Sequence, residues 1–176
     1  AFIAPCLAKL VDTAPEGPNW VHEIKFDGYR LQAHVEAGKV RLYTRSGLDW
    51  TTRFPTIVKG VKALSIGSAV LDGEAVVETD DGLSSFASLV ATLKAYATAP
   101  IIFYAFDLLR FDGEEVSKLP LEKRKALLKP LLGKGRKGPI RYSDHVKGKG
   151  RAMQEKACAL GVEGIVSKRI DLPYRG

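Results

Sequence analysis

The sequence predicts an α+β fold with largely antiparallel sheets flanked by helices. Strand, turn and helix signals alternate along all 176 residues, and no repeat or low-complexity tract separates two halves. Hairpin signals outnumber clean strand-helix-strand units, which favours antiparallel pairing over a doubly wound sheet. The length suits a single domain, and an apolar content of 45% is enough for a core of ordinary size.

The elements are read in chain order. Residues 19–26 form a strand through Trp20, Ile24 and Phe26, broken by Gly28. Residues 29–35 and 40–44 form a hairpin across Glu36-Ala37-Gly38-Lys39. Residues 55–64 set Ile57, Val58, Val61 and Leu64 at helical spacing. Residues 69–77 read as a strand interrupted at Asp72-Gly73. Residues 84–96 read as a helix with Phe86, Leu89, Val90 and Leu93 on one face, capped by Ser84 or Ser85. Residues 101–108 form a short buried strand. Residues 120–131 form a basic helix with Pro120 at its first position. A helix over 151–160, closed by Gly161, leads into a last strand over 162–168.

Several classes drop out on composition. No apolar run approaches the ~20 residues that span a bilayer, and no secretory leader is visible at Ala1-Phe2-Ile3-Ala4-Pro5. That start also lacks an initiator Met, so a trimmed chain or an excised domain is expected. Cys6 and Cys158 form no CxxC pair, which argues against a disulfide scaffold or a zinc site; both are expected to be buried hydrophobes in a reducing compartment. The net charge of +7 is uneven: residues 118–151 hold twelve Lys and Arg against Glu122 and Asp144. Such a block suggests a polyanion, nucleic acid first; a solvated lysine face is the plain alternative. Three loops attract chemistry more than packing: Asp112-Gly113-Glu114, the Gly133 to Gly138 stretch and Lys147-Gly148-Lys149-Gly150-Arg151. The last two could grip phosphates, but neither has P-loop spacing and no GxGxxG follows a strand.

The segment Glu23-Ile24-Lys25-Phe26-Asp27-Gly28-Tyr29-Arg30 concentrates reactive groups. Alternation would put Glu23, Lys25 and Asp27 on one strand face, with Ile24 and Phe26 on the other. A structural ion pair is the ordinary reading. A nucleophilic lysine must lose a proton, which for an ordinary side chain of pKa ~10.4 costs about 4.6 kcal/mol at pH 7. Two carboxylates alone oppose that loss, so a site of this kind needs cations nearby. Arg45, Glu74, Phe106, Glu163 and Lys168 stand in motifs that could complete it, though each taken singly has a bland structural reading.

Taken in order, these motifs resemble the covalent nucleotidyltransferase superfamily of ATP-dependent DNA ligases, RNA ligases and mRNA capping enzymes. The signature KxDGxR reads Lys25-Phe26-Asp27-Gly28-Tyr29-Arg30, a match expected by chance at roughly the 10⁻³ level. Arg45-Ser46-Gly47, Asp72-Gly73-Glu74, Phe106-Asp107 and Glu163-Gly164 with Lys168 resemble the motifs that follow, covering about residues 5–176. Thr44 to Thr51, Arg53-Phe54-Pro55, Ser85-Phe86 and Phe106 to Leu109 look like the ligase module of bacterial end-joining ligase D. The family's W-x-K-x-K strand and oligonucleotide-binding fold do not follow Tyr174-Arg175-Gly176, so an isolated adenylation domain over 1–176 is expected.

The resemblance implies the ATP-grasp-like adenylation fold of DNA ligases. It implies that Lys25 attacks the α-phosphorus of ATP to give lysyl-AMP, that AMP passes to a DNA 5′-phosphate, and that a 3′-hydroxyl displaces it. Lys168 and Arg45 would meet phosphate charge, and Arg30 a ribose hydroxyl or neighbouring phosphate. Phe106 would stack on adenine with Val166 as the opposite wall, while Glu23 and Ile24 would read its edge. Glu74 would meet the ribose or, with Glu163, a Mg²⁺ (or Mn²⁺) ion. Asp27 would hold the turn. The implied partners are nicked or broken DNA and fused end-joining modules, in a monomeric, cytoplasmic, nucleoid-associated bacterial protein with no membrane contact. The rival readings are an RNA ligase, a capping-type nucleotidyltransferase, or a non-catalytic nucleic-acid-binding module.

Overall fold

The computed structural model describes residues 1–95, 100–133 and 138–176. The first strand, β1 (Trp20–Ile24), is followed by the hairpin β2 (Tyr29–Glu36) and β3 (Lys39–Thr44). The hairpin turns on Ala37 and Gly38, both at positive φ (47° and 75°). Such a two-residue turn matches the strand twist. α1 (Pro55–Ala63) starts with proline in its first turn, as read from the sequence. β4 (Ser68–Val77) pairs with β2 along its length. α2 (Phe86–Lys94) is capped by Ser85, whose side chain accepts from the Ser88 amide. β5 (Ile101–Phe111) turns through Asp112 and Gly113 into the two-residue β6 (Glu114–Glu115). There follow α3 (Leu121–Leu131), β7 (Ile140–Tyr142), β8 (Val146–Lys147), α4 (Gly150–Ala159) and β9 (Ile165–Arg169).

Two sheets result, and all but one pairing is antiparallel, as expected. The larger runs β3-β2-β4-β5-β6, with β7 added parallel to β5. The smaller runs β8-β1-β9. The main core lies on the large sheet, where Leu31, Leu42, Leu71, Phe103 and Leu108 meet Phe54 and Ile57 near α1, Leu89 of α2 and Leu128 of α3. α4 packs on the small sheet, against β1 and β9.

Several expectations need correction. β4 is not interrupted at Asp72-Gly73; the irregularity is a register shift against β5 at that point. Gly73 is there because its backbone passes the next strand closely: a Cβ would meet the Tyr104 carbonyl oxygen at 2.4 Å. Pro120 is the N-cap of α3, not its first helical residue. β5 runs three residues beyond its expected end, and β6, β7 and β8 are too short to show a period. The Asp112-Gly113-Glu114 loop is the β5–β6 turn, and the end of the 84–96 helix reading lies outside the described residues. Cys6 and Cys158 are both exposed rather than buried.

Clean alternation in β1 also fails. Val21, His22 and Glu23 are all buried, because α4 covers one face of the small sheet and the Lys125 and Ser143 side chains close on the other at Glu23. Ile24, expected on an apolar face, is 41% exposed.

Candidate active site

Lys25 lies one residue beyond β1, where its amide donates to the Gly164 carbonyl at 3.0 Å. That bond continues the β1–β9 pairing, in which Glu23 faces Val166 and Val21 faces Lys168. The register therefore brings the KxDG segment beside the Glu163-to-Lys168 segment, 138 residues later in sequence at the Lys25–Glu163 contact. The Lys25 ammonium forms an ion pair with the Glu163 carboxylate, both side chains being close to half exposed.

The loop after Lys25 is fixed at two points. The Asp27 amide donates to Ser84 Oγ (2.9 Å), and its carboxylate accepts from the Phe86 amide at the start of α2 (3.1 Å). Gly28 then runs against β4 so closely that a Cβ would stand 2.0 Å from the Ala75 carbonyl oxygen. Phe26 stacks on Tyr104 with ring centroids 4.1 Å apart.

Arg30 is held by a two-point pair with buried Asp72, at 3.1 and 2.7 Å. It also donates to the Cys6 carbonyl and to Tyr174 Oη, whose own hydroxyl donates to Asp72 at 2.7 Å. Its guanidinium is thus engaged by the protein itself and stands 5.3 Å from the Phe106 ring centroid, with Lys168 Nζ 4.4 Å from the same ring. A second buried pair, Arg124 with Asp107 (2.7 and 3.0 Å), fixes the residue next to Phe106.

Glu74 faces Arg30 across β2–β4. Burial pushes its carboxyl up to about 8; Asp72 and Glu163 add to the rise, while Arg30 and Lys25 oppose it. Together with Arg30 and Arg45, Glu74 lines a cleft of about 590 Å³ that also takes in Gly28, Trp50 and Phe86. Arg45 is exposed there. Lys25, Phe106, Val166 and Lys168 lie outside that lining.

Glu23 is not where an adenine-reading side chain would be open to a ligand. Glu23 is 2% exposed, and its carboxylate accepts from Lys125 Nζ (2.7 Å), Lys168 Nζ (3.0 Å) and Ser143 Oγ (3.0 Å). Burial pushes the Glu23 carboxyl up, but Lys168 and Lys125 together hold it below the ordinary carboxylate range. Burial pulls the Lys125 ammonium down, with Glu23 opposing and Lys168 assisting. Two ammonium groups around one carboxylate account for the Glu23 direction, and burial for that of Lys125.

Lys125, Ser143 and Tyr174 are neighbours of the site that the sequence did not single out, and Asp72, read there within the Asp72-Gly73-Glu74 motif, proves to be the partner of Arg30. The buried pairs of Arg124 and Lys125 also break up the basic block, since neither can track a phosphate chain. Lys147, Lys149 and Arg151 are its exposed members near the small sheet, and residues 134, 136 and 137 lie outside the described residues. No helix among the described residues is long and apolar enough to cross a membrane.

The chain is 39% identical over 174 residues to the multifunctional non-homologous end joining protein LigD of Pseudomonas aeruginosa, covering 99% of this chain and 21% of that protein. The LigD of Mycobacterium bovis is 34% identical over 98% of this chain and 22% of its own length. The chain thus spans about a fifth of these relatives. Among solved structures, mycobacterial DNA ligase D complexed with ATP and MES superposes with a TM-score of 0.85 at 32% identity, over 98% of this chain and 56% of that one. Chlorella virus DNA ligase-adenylate shares the fold at a TM-score of 0.71 and 17% identity, over 99% of this chain and 62% of that one. The family model of the ATP dependent DNA ligase domain matches residues 5–176. With that model covering nearly the whole chain, this chain belongs to the ATP-dependent DNA ligase domain family.

Proposed function

We propose that this domain adenylates itself on Lys25 and supplies that AMP for sealing breaks in DNA. The observation that carries the reading is the clasp between Lys25 and the Glu163-Gly164 segment, which sets a half-exposed lysine beside a carboxylate. In the first step, the neutral Lys25 amine attacks the α-phosphorus of ATP. A P–N bond forms, the bond from the α-phosphorus to the bridging oxygen breaks, and pyrophosphate leaves with the electron pair. The Glu163 carboxylate pairs with the resting ammonium and holds Lys25 Nζ in place. The cations Arg45 and Lys168 favour loss of the ammonium proton to solvent before attack, and the second N–H proton passes to solvent as the P–N bond forms. The reaction needs in-line positioning and charge neutralisation more than acid-base chemistry.

Phe106 offers the flat face for adenine, with Val166 opposite; backbone atoms of Glu23 and Ile24 are left to read the base edge. Arg45 and Lys168 meet the phosphates. Arg30, locked to Asp72, supports the floor under Phe106. The carboxylates of Glu74 and Glu163 fit a divalent cation of the Mg²⁺ type: Glu74 is half-buried in the cleft wall, its carboxyl raised by that burial and then by Asp72 and Glu163, a condition that an oxygen-seeking cation relieves. Such an ion would supply positive charge to the phosphate oxygens.

AMP then passes to a DNA 5′-phosphate, and a 3′-hydroxyl displaces it. The likeness to LigD supports broken DNA as the acceptor, in a bacterial protein that carries further end-joining modules. Replacing Lys25 by Ala tests the reading: covalent AMP labelling is lost while the domain stays folded. Labelling that survives in Lys25→Ala refutes it. Transfer from the labelled domain to nicked RNA but not nicked DNA would move the acceptor class.

A further inference from the structure

We propose that Lys125 is a positioning residue for phosphate binding, acting through Glu23 on Lys168. The inference rests on the reading of Lys168 as a phosphate-binding group.

Lys125 sits in the middle of α3 and is 2% exposed, an unusual place for a lysine. It cannot touch a nucleotide from there. Its Nζ donates to Glu23 Oε1 (2.7 Å) and to the Ser143 carbonyl (3.0 Å), and it stands 4.7 Å from the Tyr142 ring centroid. The other oxygen of Glu23 accepts from Lys168 and from the Ser143 hydroxyl. A buried pair of this kind is a poor device for stability alone, because desolvation offsets most of the attraction.

Its electrical effect is specific. With Lys125 in place, the cluster of Lys125, Glu23 and Lys168 carries one net positive charge. Lys168 is the member with access, its side chain 22% exposed against 2% and 3% for Lys125 and Glu23. Its ammonium stands over Phe106. Without the Lys125 charge, Lys168 faces an uncompensated carboxylate with a free oxygen. The ammonium, which already donates to Glu23 at 3.0 Å, becomes the only cation on that carboxylate and is held there more tightly, so that it turns less readily to a phosphate. Lys125 thus shares the Glu23 charge, so that Lys168 is held less tightly.

The test is calorimetric titration of the chain with α,β-methylene-ATP, which cannot be cleaved at the α-phosphorus, and with adenosine. Lys125→Gln removes the charge but can still hydrogen-bond Glu23 and the Ser143 carbonyl. Lys125→Met removes both, and Lys125→Arg keeps the charge. Lys125→Gln and Lys125→Met should each lose about tenfold in affinity for the triphosphate, the scale of weakening one charge-assisted hydrogen bond from Lys168 to phosphate. Adenosine affinity should stay unchanged, Lys125→Arg should recover most of the loss, and Lys125→Gln combined with Lys168→Gln should bind no worse than Lys168→Gln alone. Equal losses for both ligands, or additive losses in the double variant, overturn the proposal and leave Lys125 as packing. A loss in Lys168→Gln with none in Lys125→Gln or Lys125→Met overturns it and spares the reading of Lys168. Unchanged triphosphate affinity in Lys168→Gln overturns both.

Discussion

Replacing Gly28 by Ala should disable the nucleophile loop by geometry alone. The added Cβ would stand 2.0 Å from the Ala75 carbonyl oxygen and 2.9 Å from Val76 Cγ1. The first neighbour is backbone in the middle of the large sheet, paired with both β2 and β5, so it cannot give way. Restoring an ordinary contact requires the 25–28 loop to move by at least about 1 Å, and a misplacement of that size at a reacting group costs on the order of 100-fold in rate. Overpacking against a rigid strand should also cost about 1–3 kcal/mol in stability. Gly164 is the control: a Cβ there meets nothing within 4 Å, so Gly164→Ala should change unfolding free energy by no more than about 0.5 kcal/mol. The assay is single-turnover AMP labelling of Lys25 by intact mass, with thermal melting of both variants alongside. A Gly28→Ala protein that labels and melts like the unmodified chain would refute the reasoning.

Other perturbations follow from the same contacts. Arg124→Met leaves Asp107 buried and unpaired, and should cost about 3–5 kcal/mol in urea unfolding. Phe106→Ala should weaken ATP binding by about 1–3 kcal/mol in a calorimetric titration, the scale of base-aromatic stacking. Glu74 has its carboxyl raised in the folded state to about 8, so the folded chain holds that proton more tightly than the unfolded chain does. Its contribution is fully present at low pH and is lost as pH rises through about 8. In metal-free buffer, Glu74→Gln should therefore melt above the unmodified chain at pH 9 and lose that advantage at pH 4; a constant offset between the two contradicts the assignment.

Much of this architecture was legible in the residues. The hairpin announced itself through Ala37-Gly38 between β-rich runs, and α2 through Ser85 followed by apolar residues at helical spacing. What stayed hidden depends on long-range register. Nothing local shows that Arg30 meets Asp72, 42 residues later, or that Glu23 meets Lys125, 102 residues later. Lys125 reads as one more cation in a basic helix, and only the packing of α3 turns it inward. The same burial inverted the face expected for Glu23 and Ile24: two ammonium groups make an interior position tolerable for a carboxylate, while Ile24 lies where the strand ends and cover stops. The expected buried cysteines failed because Cys6 lies in an extended segment before β1 and Cys158 on the outer side of α4. The motifs themselves were readable because their spacing is chemical: a lysine, a turn that only glycine fits, and carboxylates in short motifs that follow in order.

The central claim is that Lys25 carries AMP. Intact mass of the purified chain, taken before and after ATP with Mg²⁺ and again after pyrophosphate, tests it most directly. The account predicts a gain of one AMP, about 329 Da, that pyrophosphate reverses and that Lys25→Ala abolishes. A gain of that mass retained in Lys25→Ala would contradict it.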